Sequence, residues 1–282
     1  MRGGHVQELE NWDPDIPLLQ EIKLREPDPE RNMKRKNDLK GPLETLQKRF
    51  GYRRCNCGCS ETALHGTAVL SKYTPDRVST ELGDRELDDE GRTQLIEFRT
   101  FGILNSYVPF QGLDDGNIQK RRRYLRLVEA RIHQWQNDAN TKHKPLVWTA
   151  DLNGIVRTDD VCVANLGTPG RTLETMQELT DLLKRTHMID LYDRSDSKPD
   201  STESLPYTWY WSLQERARGD GARLDYVLEM TPENRNSETE IPKAKRRYIY
   251  ATLARESGFG PPSPDVRNRT CRSAPLHPGS NA

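Results

Sequence analysis

Residues 145–155 read Pro-Leu-Val-Trp-Thr-Ala-Asp-Leu-Asn-Gly-Ile, a short apolar run that breaks off into a carboxylate, an amide and a glycine. Leu146, Val147 and Trp148 have the β-branched and aromatic bias of a fully buried strand, so the polar groups that follow are delivered to the mouth of a sheet. On an extended chain Asp151 and Asn153, two residues apart, lie on one side. A proton acceptor beside a hydrogen-bond donor suits activation of a water. Gly154 supplies a turn that brings backbone close to a ligand. Asp-x-Asn is also common turn chemistry, and on this stretch alone the turn reading comes first.

A chain of 282 residues has room for one sizeable core. With 33% hydrophobic and 30% charged residues and a mean hydropathy of -0.90, solvated tracts are expected outside that core. Forty-three basic residues balance 43 acidic ones, which excludes a protein that is basic all over and leaves room for a local basic groove. No apolar run approaches the roughly 20 residues that span a bilayer, and no signal-peptide apolar region follows the first residues. The expectation is a soluble protein with no membrane partner. Five cysteines, three of them at Cys55, Cys57 and Cys59, do not form a disulfide framework. They fit a loop of thiols in a reducing compartment.

Taken in order, the residues predict a helix end over 6–12, a strand around Ile16, Leu18 and Leu19, a solvated charged tract over 26–40 and an amphipathic helix over 43–50. Strands follow over 67–70, 94–98 and 101–108, with the acidic residues 81–90 as a loop. The clearest helix spans 118–135, where Tyr124, Leu125, Val128, Ile132 and Trp135 keep a three-to-four spacing. Lys120, Arg121, Arg122, Arg123 and Arg126 crowd its first half; a solvated face is the usual explanation of such a run, yet cations there oppose the helix dipole, so an anionic partner nearby would make sense of them. Thr168-Pro169 is the expected start of a helix through Leu173, Met176, Leu179 and Leu183. The aromatic run over 206–212 serves either as core packing or as a platform for stacked bases, and a last strand covers 223–228. From Thr231 onward Asn, Ser, Glu, Lys and Arg take over, so residues 231–282 are expected to be a disordered tail behind a domain over 1–230. Basic clusters at 34–36 and 243–247 suggest a nuclear address.

Six ordered segments, Leu19-Gln20-Glu21-Ile22-Lys23, the run from His65 to Lys72, Asn105-Ser106-Tyr107-Val108-Pro109, Ala150-Asp151-Leu152-Asn153, Tyr207-Thr208-Trp209 and Arg223-Leu224-Asp225-Tyr226, resemble the exonuclease III type of apurinic/apyrimidinic endonuclease. The resemblance implies the fold of the endonuclease/exonuclease/phosphatase superfamily, a four-layer αββα sandwich with its site at one edge of two packed sheets. It implies Mg²⁺, with Mn²⁺ as a substitute, held by Glu21 and Asp151, in keeping with the preference of hard cations for carboxylate oxygen. Asp151 would orient and deprotonate the attacking water, Asn153 would hold that water or a phosphate oxygen, Tyr107 would contact the scissile phosphate, and Asp225 would support a histidine. Asn105, Arg121, Arg122, Arg123, Trp209 and Arg223 would contact DNA. The implied reaction is hydrolysis 5′ to an abasic site in double-stranded DNA by a monomeric repair nuclease, with 3′-5′ exonuclease or 3′-phosphodiesterase activity alongside.

The departures are specific. The family's opening Trp-Asn-x-x-Gly-Leu-Arg strand and its closing Ser-Asp-His-Cys-Pro motif have no counterpart, so a domain lacking its first strand is expected. Phe110 follows Tyr-Val-Pro where the family has Asn, and Ala222 stands where it has Trp. Loss of an acid/base histidine costs a hundredfold or more. A member that binds nucleic acid without cutting it is therefore the alternative; a phosphatase or RNA-directed nuclease is a third reading, which the Leu-Gln-Glu-x-Lys and Arg-Leu-Asp-Tyr segments disfavour.

Overall fold

Alternating side chains build the layers. The computed structural model describes residues 13–24, 42–58, 64–194 and 207–230. In chain order these form β1 (Leu18–Gln20), α1 (Pro42–Phe50), β2 (Arg54–Gly58), β3 (Thr67–Ser71), β4 (Arg77–Ser79), α2 (Arg85–Asp88), β5 (Thr93–Glu97), β6 (Gly102–Tyr107), α3 (Asp115–Asn137), β7 (Leu146–Asp151), α4 (Leu173–Arg185), β8 (Met188–Asp190), α5 (Leu213–Arg218) and β9 (Asp225–Met230). One sheet runs β1-β3-β2 and the other β4-β5-β6-β7-β9-β8. Among the described strands only β6 and β7 pair in parallel, joined by the long crossover through α3 that a parallel pair requires.

Leu95, Leu104, Leu146, Trp148, Ala150 and Leu228 face outward from the six-stranded sheet. They pack against Tyr124, Leu125, Val128, Ile132 and Trp135 of α3 and Leu179, Leu182 and Leu183 of α4. The alternate positions face the other sheet, where Ile96, Phe98 and Ile103 meet Val69 and Leu18. Beyond it, Leu43 and Leu46 of α1 cover Leu19, Ala68 and Leu70. The result is helix, sheet, sheet, helix: the expected αββα sandwich. Trp135 closes against Gly102, where any Cβ would collide with the indole.

Several boundaries differ from expectation for physical reasons. Cys55 and Cys57 lie in a strand and not a loop, since residues 54–58 pair antiparallel with the whole of β3; Cys59 lies outside the described residues. Cys57 packs on the α1 cluster. The acidic tract holds α2, capped by Asp84, whose side chain accepts from Leu87 N. The helix α4 starts at Thr172, whose hydroxyl accepts from Thr175 N, and not at Thr168-Pro169. A Cβ at Gly154 would meet Arg121 Nη2 at 2.8 Å and Leu179 Cδ1 at 2.9 Å, so the glycine lets these helix side chains pack close to the turn. The readings for residues 6–12, 26–40 and 231–282, and both basic clusters, lie outside the described residues. No helix among the described residues is long and apolar enough to cross a membrane.

Candidate functional site

Because β6, β7 and β9 are neighbours in register, their ends bring distant residues into one row. Tyr107 lies opposite Asp151 in the parallel pair, and Asp151 lies opposite Asp225 in the antiparallel pair. Cross-strand partners share a face, and this face is the inter-sheet one, because Asn105, two before Tyr107, donates to Leu19 O at 3.2 Å and Ala68 O at 3.3 Å on the other sheet. That second sheet supplies the fourth member. Tyr107 Oη donates to Glu21 Oε1 at 3.1 Å, and Lys23 Nζ is 3.4 Å from the same oxygen. Glu21 follows β1 in a left-handed conformation, φ 52°, which turns its carboxylate out of the strand. The turn is tied down by Ile22 N to Gly66 O at 3.2 Å and Lys23 N to His65 O at 2.8 Å.

Asn153 has left the strand. Its φ is +45°, its N–H donates to Asp151 Oδ1 at 2.9 Å, and its Nδ2 donates to Val108 O at 2.8 Å. Alternation therefore does not align Asp151 with Asn153; a carboxylate-capped turn does, so the turn and the site are the same object. Arg121 braces it from within. Its Nη1 donates to Leu152 O at 2.8 Å and Pro109 O at 3.1 Å, joining the ends of β7 and β6. Burial pushes this guanidinium down to about 10, with Glu178 and Asp151 opposing.

Three residues expected to meet DNA are interior. Asn105 is sealed between the sheets, where its Oδ1 accepts from Gln20 Nε2 at 2.6 Å. Arg121 is 1% exposed, and its Nη1 donates to backbone carbonyls. Arg223 is 2% exposed and spans Asp160 Oδ1 at 2.9 Å and Asp190 Oδ2 at 2.5 Å. All three shape the site from behind, because a desolvated polar group takes its partners from the protein. The half-exposed Arg122 and Arg123 face Glu174 and Glu178, and Asp84 and Glu86, respectively. The anionic partner that this helix face called for is thus carried by the chain itself. Trp209 bridges to Ala222 beside the Ile155, Val161 and Leu224 cluster and carries the Arg171 guanidinium 4.0 Å from its ring centroid. Sequence reasoning missed Glu90 and Arg92, which flank a left-handed Gly91 at the entry to β5, and passed over His65. The charge pair around that glycine was the one available signal. The structure stacks Arg92 4.9 Å from the centroid of the Tyr107 ring and brings the His65 ring to 6.1 Å.

The donor chemistry fits a hard divalent cation. Glu21 is a partly exposed carboxylate at the edge, with Asp151 and Asp225 side by side on the adjoining strands. Among the described residues no three His, Cys, Asp or Glu side chains converge. An ion of the Mg²⁺ kind takes one or two carboxylates and completes its shell with water and phosphate oxygens.

An αββα sandwich with carboxylates from both sheets at one edge is the architecture of a hydrolase class. An AP endonuclease from Archaeoglobus fulgidus has the same fold, with a TM-score of 0.63 at 22% identity over 80% of each chain. The chain belongs to the endonuclease/exonuclease/phosphatase family, whose model matches residues 6–266. It is 26% identical over 235 residues to the DNA-(apurinic or apyrimidinic site) endonuclease of Dictyostelium discoideum, covering 80% of this chain and 57% of that one. It is 30% identical over 221 residues to the DNA repair nuclease APEX1 of Danio rerio, covering 77% of this chain and 64% of the relative. It spans less than two thirds of either relative's length.

Proposed function

We propose that this protein hydrolyses the DNA backbone 5′ to abasic sites with a divalent cation, Mg²⁺ or Mn²⁺, and acts in base excision repair. The observation that carries the reading is the row Glu21, Tyr107, Asp151 and Asp225, assembled from both sheets at one edge. Its supports are the ordered resemblance and the activity named for the Dictyostelium and Danio relatives. Glu21 and Asp151 would hold the cation, which when bound supplies charge neutralisation at the phosphate. Asp151 accepts the proton of the attacking water, its orientation fixed by the Asn153 N–H. Tyr107 presents its hydroxyl at the phosphate, aligned by Glu21. Trp209 with Arg171 stacked on its ring offers a base or sugar an aromatic surface.

The test is nicking of a duplex carrying one abasic site by the purified full chain in Mg²⁺. Asp151→Asn should abolish nicking while leaving binding intact. A wild-type chain that binds this duplex and never nicks it, with either cation, refutes the nuclease reading in favour of a binding protein.

A further inference from the structure

We propose that His65 is a positioning residue for Tyr107, acting through Arg92; the proposal deepens the nuclease reading and rests on it for its kinetic part. Arg92 clasps Tyr107 at three places. Its Nη1 donates to Tyr107 O at 3.1 Å, its carbonyl accepts from Tyr107 N at 2.8 Å, and its guanidinium lies 4.9 Å from the centroid of the phenol ring. Two groups set the tilt of that guanidinium. Glu90 Oε2 accepts from Nε at 2.5 Å, and His65 Nδ1 lies 3.0 Å from Nη2.

The second contact fixes the state of the imidazole. A guanidinium has donors and no acceptor, so Nδ1 must accept and the ring hydrogen must sit on Nε2. That nitrogen faces Glu90 Oε1 at 3.5 Å, an oxygen that also accepts from Lys120 Nζ at 2.7 Å. Burial, then the Arg92 charge, favours the neutral ring. The backbone completes the connection, since His65 O and Gly66 O accept from Lys23 N and Ile22 N, the residues that carry Glu21 outward. One dipeptide therefore braces both ends of the Tyr107–Glu21 hydrogen bond: Glu21 through the backbone, Tyr107 through Nδ1 and Arg92.

Three substitutions separate positioning from packing. His65→Asn places an amide oxygen where Nδ1 stands, His65→Gln reaches instead to the Nε2 position, and His65→Ala reaches neither. In the abasic-duplex assay the Gln and Ala variants should lose about tenfold in kcat with KM little changed, while Asn stays near wild type. Equal losses in all three, tracking equal losses in melting temperature, would show a packing role and overturn the proposal. A readout independent of activity is long-range 1H–15N NMR of the full chain labelled at histidine. The His65 signals should report the Nε2–H tautomer in wild type and a tautomer mixture in Arg92→Gln; an Nδ1–H tautomer in wild type overturns the proposal. Absence of nicking by the wild type would count against the nuclease reading alone, because the tautomer measurement stands without it.

Discussion

Arg121→Met isolates the buried brace beneath the site. The guanidinium makes two short hydrogen bonds to carbonyls, to Leu152 O at 2.8 Å and Pro109 O at 3.1 Å, and a long one to Asn153 O at 3.5 Å. Bonds from a charged donor contribute about 1.5–3 kcal/mol each, so together roughly 3–6 kcal/mol. Against this stands the burial that lowers its pKa from 12.5 to about 10, a cost of roughly 3 kcal/mol on the charged form. Arginine thus contributes a net ~0–3 kcal/mol. Methionine lifts the desolvation cost but deprives these two carbonyls of their donor, at about 1–3 kcal/mol each, so the expected destabilisation is roughly 2–6 kcal/mol. Urea denaturation should show it as a lower midpoint at unchanged slope. Activity of the folded fraction should also fall, because the braced carbonyls flank Asn153. Binding discriminates more sharply. A phosphate contact contributes about 0.9 to the slope of log affinity against log salt, and an interior arginine contributes none. Unchanged stability in Arg121→Met, or a slope that falls by about 1, would refute the placement of Arg121 as a brace.

Two further outcomes follow from the same geometry. Tyr124 is wholly buried, with Oη 2.6 Å from Thr93 Oγ1, and burial raises its pKa from 10.0 to about 12. A raised folded value stabilises fully below the unfolded one, so stability should be lost as pH rises from 10.0 through about 12. Tyr124→Phe should flatten that decline by roughly 3 kcal/mol in urea titrations across the range; an unchanged decline would assign it to other groups. Trp209→Ala should raise KM for the abasic duplex more than it lowers kcat, with Trp209→Phe intermediate, because the indole offers area and a cation partner, not proton transfer. A pure kcat loss would place Trp209 in the chemistry.

The layers were legible where periodicity is strong. Tyr124, Leu125, Val128, Ile132 and Trp135 announce α3, and Leu146 and Trp148 announce β7, because burial of one face leaves its spacing in the sequence. Edge elements leave weaker traces. Residues 54–58 and 77–79 are strands by virtue of their partners, and partner pairing is long-range information. Within the site, Glu21, Tyr107, Asp151 and Asp225 were found by ordered resemblance, while their row depends on the register of β6, β7 and β9. The direction of the arginines was not legible. Arg121 and Arg122 are adjacent in sequence, yet a helix turns each residue by about 100°, which sends one inward to carbonyls and the other to Glu174.

Backbone strain marks the site more sharply than composition does. Among the described residues five non-glycine positions have positive φ, and Glu21, Lys23 and Asn153 are three of them. Such conformations cost of order 1–3 kcal/mol unless glycine or, more cheaply, asparagine occupies them. Asn153 therefore has two separable duties: to adopt φ +45° and to donate through Nδ2 to Val108 O at 2.8 Å. Asn153→Gly keeps the first and deletes the second. Relief of strain and loss of one hydrogen bond, each about 1 kcal/mol, should nearly cancel, leaving the melting temperature close to wild type. Asn153→Ala loses both and should be less stable by roughly 2 kcal/mol. If the amide also meets the water or phosphate, both variants should lose kcat alike despite their different stabilities. Activity that follows stability, with glycine near wild type, would reduce Asn153 to a turn former that orients the Asp151 carboxylate through its backbone N–H alone.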